Sequence, residues 1–173
     1  MTDADAVALI AGGIKQKKSS SIWADLGCGT GTFTQALCEL LETGSTVYAV
    51  DRTKVLNIEP AHHDAKVLFI KRDFVLEKLP FTDLDGILLA NSLHFVEAKE
   101  KLIQKLSSHL KSMGSFLVVE YDTAKSNQWI PYPIPFAVLG DIFSGAGFSK
   151  IEKIGERDSV YHVERMYAAL IQR

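Results

Sequence analysis

A chain of 173 residues, 47% hydrophobic and 23% charged, has the size and balance of one globular domain spanning 1–173. A net charge of −2 and a pI near 6.2 supply no electrostatic pull toward phosphate backbones, so no nucleic-acid partner is favoured. Cys28 and Cys38 stand at no zinc spacing, no stretch reaches the roughly twenty apolar residues of a membrane span, and Met1–Ile14 lacks the basic start and apolar run of a signal peptide; the sequence therefore reads as cytoplasmic, with free thiols, no metal and no membrane.

In chain order, a short helix is expected over Asp5–Ile14. Ser21–Leu26 is apolar and ends in glycines, which predicts a strand, and Phe33–Leu41 places Phe33, Ala36, Leu37, Leu40 and Leu41 at helical spacing. Thr46–Val50, Lys66–Ile70 and Gly86–Ala90 are three further short apolar runs, as strands covered on both faces require. Ala98–Leu110 repeats Leu102, Ile103, Leu106 and Leu110 on one face, and Met113-Gly114 is expected to end that helix with glycine at its C-cap. Ser115–Val119 predicts a fifth strand and Phe136–Phe143 a helix ending near Gly145 and Gly147. Ser149–Ile154 and Met166–Ile171 have no helix pattern between them and are expected to pair as an antiparallel edge hairpin. Strand alternating with helix argues for an α/β fold built from right-handed crossovers around one mostly parallel sheet. Between Asn127 and Pro135, three prolines forbid regular helix and Trp129 and Tyr132 supply rings, so this loop is read as a pocket wall or as a lid packed on the core.

The first strand meets the first helix through Asp25-Leu-Gly-Cys-Gly-Thr-Gly. Gly27, Gly29 and Gly31 let the backbone turn tightly and let a ligand approach where a Cβ would block it. The spacing is GxGxG with Thr32 where a dinucleotide fingerprint carries its third glycine, and Asp25 would repel a pyrophosphate while attracting an ammonium, which speaks against a nicotinamide oxidoreductase. Asp51, closing the second strand, is placed for ribose hydroxyls or for a helix N-cap. Asp73-Phe74 follows the third strand, where an acid could take an adenine amino group and a ring could pack on the base, or where the acid simply caps a turn. Asn91 closes the fourth strand beside the topological switch where open α/β sheets bind ligands.

Asp-Leu-Gly-Cys-Gly-Thr-Gly at 25–31, Val-Tyr-Ala-Val-Asp at 47–51, Arg-Asp-Phe at 72–74 and Asp-Gly-Ile-Leu-Leu-Ala-Asn at 85–91 together resemble the successive motifs of class I S-adenosylmethionine-dependent methyltransferases, from about Ser21 onward. The resemblance implies a three-layer Rossmann-like sandwich whose seven-stranded sheet runs 3-2-1-4-5-7-6 with an antiparallel last strand. It implies S-adenosyl-L-methionine as cofactor and S-adenosyl-L-homocysteine as product. Asp25, Gly27, Cys28, Gly29 and Gly31 would hold the methionine part, Asp51 with Arg52 the ribose, and Asp73 with Phe74 the adenine, while Asn91 to His94 would border the methyl group. Two departures stand out. About twenty residues precede the first motif, which leaves the site open or covered by a partner chain or a second copy. Asn91-Ser-Leu-His stands where amino-methylating nucleic-acid enzymes of this class carry Asn-Pro-Pro-Tyr.

A sulfonium methyl is already activated, so the protein mainly aligns an acceptor, and a base is needed only where the acceptor keeps its proton. His94 is the candidate base, with a cap or packing role as the alternative. Glu120, at the end of the fifth strand, is a second catalytic candidate; Asp122 shares its side of the strand, and Tyr121 opposite, with Trp129 and Tyr132, could bind the acceptor. Arg157, Tyr161, His162 and Arg165 form a polar cluster that is either an anion site or a solvated loop, and His62-His63 reads as surface. The expected function is methyl transfer to a small-molecule acceptor; the alternatives are a protein or RNA acceptor met with a partner chain, and a cofactor-binding module without catalysis.

Overall fold

Across residues 1–14, 19–53, 65–158 and 165–173, the residues described by the computed structural model, helix and strand alternate as α1 (Asp3–Ile10), β1 (Ile22–Leu26), α2 (Thr32–Leu40), β2 (Thr46–Asp51), β3 (Lys66–Lys71), β4 (Leu84–Ala90), α3 (Lys99–Ser107), β5 (Leu110–Tyr121), α4 (Leu139–Ser144), β6 (Lys150–Asp158) and β7 (Arg165–Gln172). The strands form one seven-stranded sheet in the order β3-β2-β1-β4-β5-β7-β6, in which only β7 runs against its neighbours. This is the expected Rossmann-like sandwich, including its antiparallel last strand.

The period of two along each strand divides the core into two layers. Trp23, Leu88, Val119 and Ala168 face α1 and α2 and pack with Leu9, Ile10, Phe33 and Leu37. Leu26, Ile87, Val118 and Tyr167 face the other way, onto Leu102 and Leu106 of α3 and Phe143 of α4. Nine residues make α2 too short to hold as an isolated helix. It persists because Phe33, Ala36 and Leu37 are buried, a fully buried leucine being worth roughly 1.5–3 kcal/mol. The first helix starts earlier than its pattern suggests, because the Thr2 hydroxyl accepts from Asp5 N–H while the Asp5 carboxylate accepts from Thr2 N–H. It gives way to a 3₁₀ turn over Ala11–Gly13. Among the described residues no helix is long and apolar enough to cross a membrane.

One expected element is corrected. The helix over Ala98–Leu110 stops at Ser107, and Leu110 opens a twelve-residue strand that runs through Met113 and Gly114. His109 decides the boundary: its ring nitrogen Nδ1 lies 2.6 Å from the Phe81 carbonyl, and its own carbonyl accepts from Leu84 N–H at 2.9 Å. Leu110 then pairs with Leu84 at the start of a β4–β5 ladder whose register shifts before Gly86. Gly114 caps no helix; it lets β5 pass the Leu84 carbonyl, which a Cβ would approach to 2.9 Å.

Candidate active site

The carboxyl ends of β1, β2 and β4 and the turn after β3 enclose a cleft of about 370 Å³ that opens to solvent, a size in the range of ligand pockets. Gly27, Asp51, Asp73, Phe74, Asn91 and Phe95 are among its walls. The glycine loop folds over the end of β2: Gly27 and Cys28 N–H donate to the Val50 carbonyl at 2.8 and 3.0 Å, and Gly29 N–H donates to Asp51 Oδ2 at 3.0 Å. Gly27, Gly29 and Gly31 have φ of 82°, 55° and 95°, a region that disfavours side chains. The two that matter most differ in use. A Cβ on Gly27 would come within 2.6 Å of Ser92 Cβ, so this glycine lets the loop close on the turn after β4. A Cβ on Gly29 would meet nothing within 4 Å, so this one leaves space in front of the backbone.

Asp25 lies behind that loop and does not line the cleft. It is 1% exposed, its Oδ2 accepts the Thr34 hydroxyl at 2.6 Å, and its Oδ1 has no hydrogen-bond partner. Burial pushes its carboxyl up to about 7; the Thr34 bond opposes this and the Asp51 charge adds to it. The Cys28 thiol is buried too, and burial with the charges of Asp25 and Asp51 moves it up, away from the reactive thiolate form. Asp51 accepts from Gly29 on one oxygen and from the Thr53 N–H and hydroxyl, both at 2.9 Å, on the other. Arg52 and Thr53 stand exposed at the rim.

Asp73 caps its own turn: Oδ1 accepts from Val75 and Leu76 N–H at 2.9 and 3.2 Å, while its own N–H donates to Glu77 Oε1 at 2.8 Å. Phe74 beside it is half-buried along the cleft. Asn91 adopts φ 51°, which costs a non-glycine residue roughly 1–2 kcal/mol. Its N–H donates to the Val119 carbonyl at 2.8 Å, yet its Oδ1, like Ser92 Oγ, is buried without a partner. A left-handed backbone and two orphaned oxygens thus coincide at the end of β4, on the cleft wall.

His94 and Glu120 come together, although 26 residues separate them. Glu120 is 1% exposed; its Oε1 accepts from Leu93 and His94 N–H at 3.0 and 3.1 Å, and its Oε2 lies 2.6 Å from His94 Nδ1. A carboxylate at this distance takes its hydrogen bond from Nδ1, which in a neutral ring leaves the lone pair on Nε2. Both oxygens of Glu120 are thus taken up by the Leu93–His94 backbone and the His94 ring, His94 itself being only 3% exposed and not among the cleft walls. Tyr121 sits with its ring centroid 6.0 Å from that of His94. Asp122 is committed to anchoring the chain, accepting Phe136 N–H at 2.9 Å and lying 3.6 Å from Lys153 Nζ.

The proline-rich loop packs on the core, and none of its residues is among the cleft walls. Ile130 and Ile134 are buried in the core, Tyr132 N–H donates to the His94 carbonyl at 3.0 Å, and Asn127 Oδ1 accepts from Trp129 and Ile130 N–H. Trp129 and Tyr132 are left at 64% and 37% exposure, and the Lys99 ammonium lies 5.2 Å from the Tyr132 ring centroid. Arg157 pairs with Asp5, and Arg165 with Glu156 and Asp158, so these guanidinium groups are spent on carboxylates. Tyr161, His162 and His62-His63 lie outside the described residues. Sequence reasoning missed Phe95 and Val96 as cleft walls, because an apolar pair after a strand carries no signal apart from its position.

Residues 24–118 match the protein family described as "Methyltransferase domain". Among curated proteins, none matches the sequence. Of solved structures, the YcgJ protein of Bacillus subtilis is 12% identical with a TM-score of 0.74, the match covering 98% of each chain. Magnesium protoporphyrin IX methyltransferase from Synechocystis, solved with bound S-adenosylmethionine, is 17% identical with a TM-score of 0.66, over 97% of this chain and 76% of that one. A protein from Nostoc punctiforme is 19% identical with a TM-score of 0.69, and 96% of this chain spans little more than half, 56%, of its length. At these identities the likeness to solved structures is one of fold.

Proposed function

Because the chain belongs to the class I S-adenosylmethionine-dependent methyltransferase family, we propose that it transfers the methyl group of S-adenosylmethionine to a small-molecule acceptor. The observation that carries the reading is the pair of buried, unpartnered oxygens on Asn91 and Ser92 in a cleft walled also by Asp51, Asp73 and Phe74. When bound, the cofactor supplies an electrophilic methyl already activated by its sulfonium. The residues present fit it. Gly29 leaves room against the loop, Asp51 and Arg52 stand where ribose hydroxyls need partners, and Asp73 with Phe74 offers an acceptor oxygen and a ring to the adenine. Asp25 acts on the methionine ammonium from behind the loop. A small acceptor is supported by the absence of a net basic charge and by a fold neighbour that acts on a porphyrin.

Calorimetric titration tests the cofactor. S-adenosylhomocysteine is expected to bind in roughly the micromolar range and NADH not at all. The reverse pattern would overturn the assignment.

For the acceptor step, His94 is the proposed base, oriented by Glu120, with Tyr121, Trp129 and Tyr132 bordering the acceptor. The His94 ring is buried and lies 4.3 Å, centroid to centroid, from Phe95 of the cleft wall, so the acceptor has to reach it past that ring. With S-adenosylmethionine carrying a labelled methyl and a pool of small hydroxyl and amine compounds, His94→Gln is expected to keep its affinity for S-adenosylhomocysteine and lose roughly 10²–10⁴-fold in transfer rate. Transfer at the wild-type rate would reduce His94 to a packing residue.

A further inference from the structure

Lys105 lies outside every motif described above, in the last turn of α3, yet its ammonium reaches the turn after β3 whose Asp73, Phe74 and Val75 wall the cleft. Nζ donates to three backbone carbonyls of one turn: Phe74 at 3.2 Å, Val75 at 3.0 Å and Glu77 at 2.8 Å. These bonds use all three donors of an ammonium. From the cofactor reading of the cleft, on which this step rests, we infer that Lys105 is a positioning residue of the adenine subsite, acting through the turn that carries Asp73 and Phe74 and not by touching the ligand.

The turn belongs to no strand ladder; Glu77 N–H closes it onto the Asp73 carbonyl at 2.8 Å, and Phe74 and Val75, both half-buried, rest against the core while Leu76 is 82% exposed. The rest of its polar groups are held by side chains, which divide the work. Its N–H groups are taken by carboxylates: Val75 and Leu76 donate to Asp73 Oδ1, and Asp73 donates to Glu77 Oε1, while Glu77 Oε2 is held by Arg72 at 3.1 Å. Its carbonyls converge on Lys105. Without the ammonium, three carbonyl oxygens would face one another with no positive charge between them, and the turn would open. The carboxylate that anchors the N–H groups is the same one proposed to meet the adenine amino group. Loosening the turn therefore blurs recognition of the base more than it weakens the rest of the site. Arginine cannot replace the lysine fully, because a planar guanidinium does not present three convergent donors as an ammonium does.

The test compares S-adenosylhomocysteine with S-inosylhomocysteine, its analogue lacking the 6-amino group, by calorimetry on wild type, Lys105→Met and Lys105→Arg. Methionine keeps an unbranched apolar stem of similar length and removes only the charge and donors. Wild type is expected to prefer the adenine ligand, and Lys105→Met to lose roughly tenfold in affinity for it, the scale of one charge-assisted bond, with a smaller loss for the inosine ligand so that the preference shrinks. Lys105→Arg should fall between the two, and it supplies the same comparison if Lys105→Met does not fold. Unchanged affinity and preference in the variants would overturn the role of Lys105, as would an equal loss for both ligands, which marks general loosening. Wild-type protein that binds neither ligand would instead sink the reading of the cleft, and this inference with it.

Discussion

Replacing Gly29 by valine is expected to leave the sheet folded and to abolish measurable binding of S-adenosylhomocysteine. Gly29 has φ 55°, where a residue with a Cβ is penalised by roughly 1–2 kcal/mol and a β-branched one by more. That strain falls on a loop outside the core layers, so thermal denaturation should show a loss of only a few kcal/mol. Binding suffers twice. The isopropyl group would occupy the space that lies open in front of this backbone, and distortion of the loop would draw Gly29 N–H away from Asp51 Oδ2, now 3.0 Å distant. Together these should lower affinity roughly a hundredfold or more, beyond what calorimetry resolves for a micromolar ligand. Gly29→Ala should fall between valine and wild type. Undiminished binding by a folded valine variant would mean that no ligand lies against this loop.

Asp25 gives the second large effect, and its sign is opposite to that of a surface carboxylate. Its folded carboxyl is raised from an ordinary 3.8 to about 7, so between those values the folded chain holds a proton that the unfolded chain has released. Stability is therefore greatest below about pH 4, as far as this group is concerned, falls as pH rises toward 7, and is level above it. The whole change is worth about 4 kcal/mol, of which about 2–3 kcal/mol lies between pH 5 and pH 8. Urea unfolding at pH 5 and pH 8 should show that loss in wild type and lack it in Asp25→Asn; parallel curves for the two proteins would contradict the assignment. Ligand binding supplies an independent check. An ammonium near the loop favours the ionised carboxyl, so binding expels a proton, and affinity for S-adenosylhomocysteine should climb by up to about tenfold per pH unit from 5 to 7 before levelling. Affinity flat across that range would place the ligand's ammonium away from Asp25.

The glycine loop and the strand ends were legible in the sequence because each depends on local pattern: short apolar runs, turn residues, and acids at fixed places after strands; the strand order followed only from the family resemblance that those motifs carry. The end of α3 was not. Leu110 continues the helical spacing from Leu106, and only the contact of His109 with Phe81, 28 residues away, shows why the chain leaves the helix there. The site divides along the same line. Asp51, Asp73 and Asn91 could be marked because they close or follow strands. The pairing of Glu120 with His94, the hydroxyl of Thr34 on Asp25 and the reach of Lys105 to the turn at Asp73–Glu77 are contacts between distant elements, for which a single sequence carries no signal. Asp25 itself was assigned to the ligand by its motif. Its seclusion behind the loop follows from the alternation that turns it, with Trp23, toward α2.

The place of β7 has a consequence for biosynthesis. The last strand described is an interior one, pairing with β5 on one side and β6 on the other, with Tyr167 buried in the sheet. Some fifty residues separate the end of β5 from the end of β7, which a ribosome takes roughly 3–10 s to add. Throughout that interval the stretch Phe116–Tyr121 of a nascent chain has an unpaired backbone edge flanked by apolar side chains, the kind of edge that recruits foreign strands. The domain is thus most exposed to aggregation between translation of β5 and emergence of β7, and chaperone capture should peak on ribosomes within that interval.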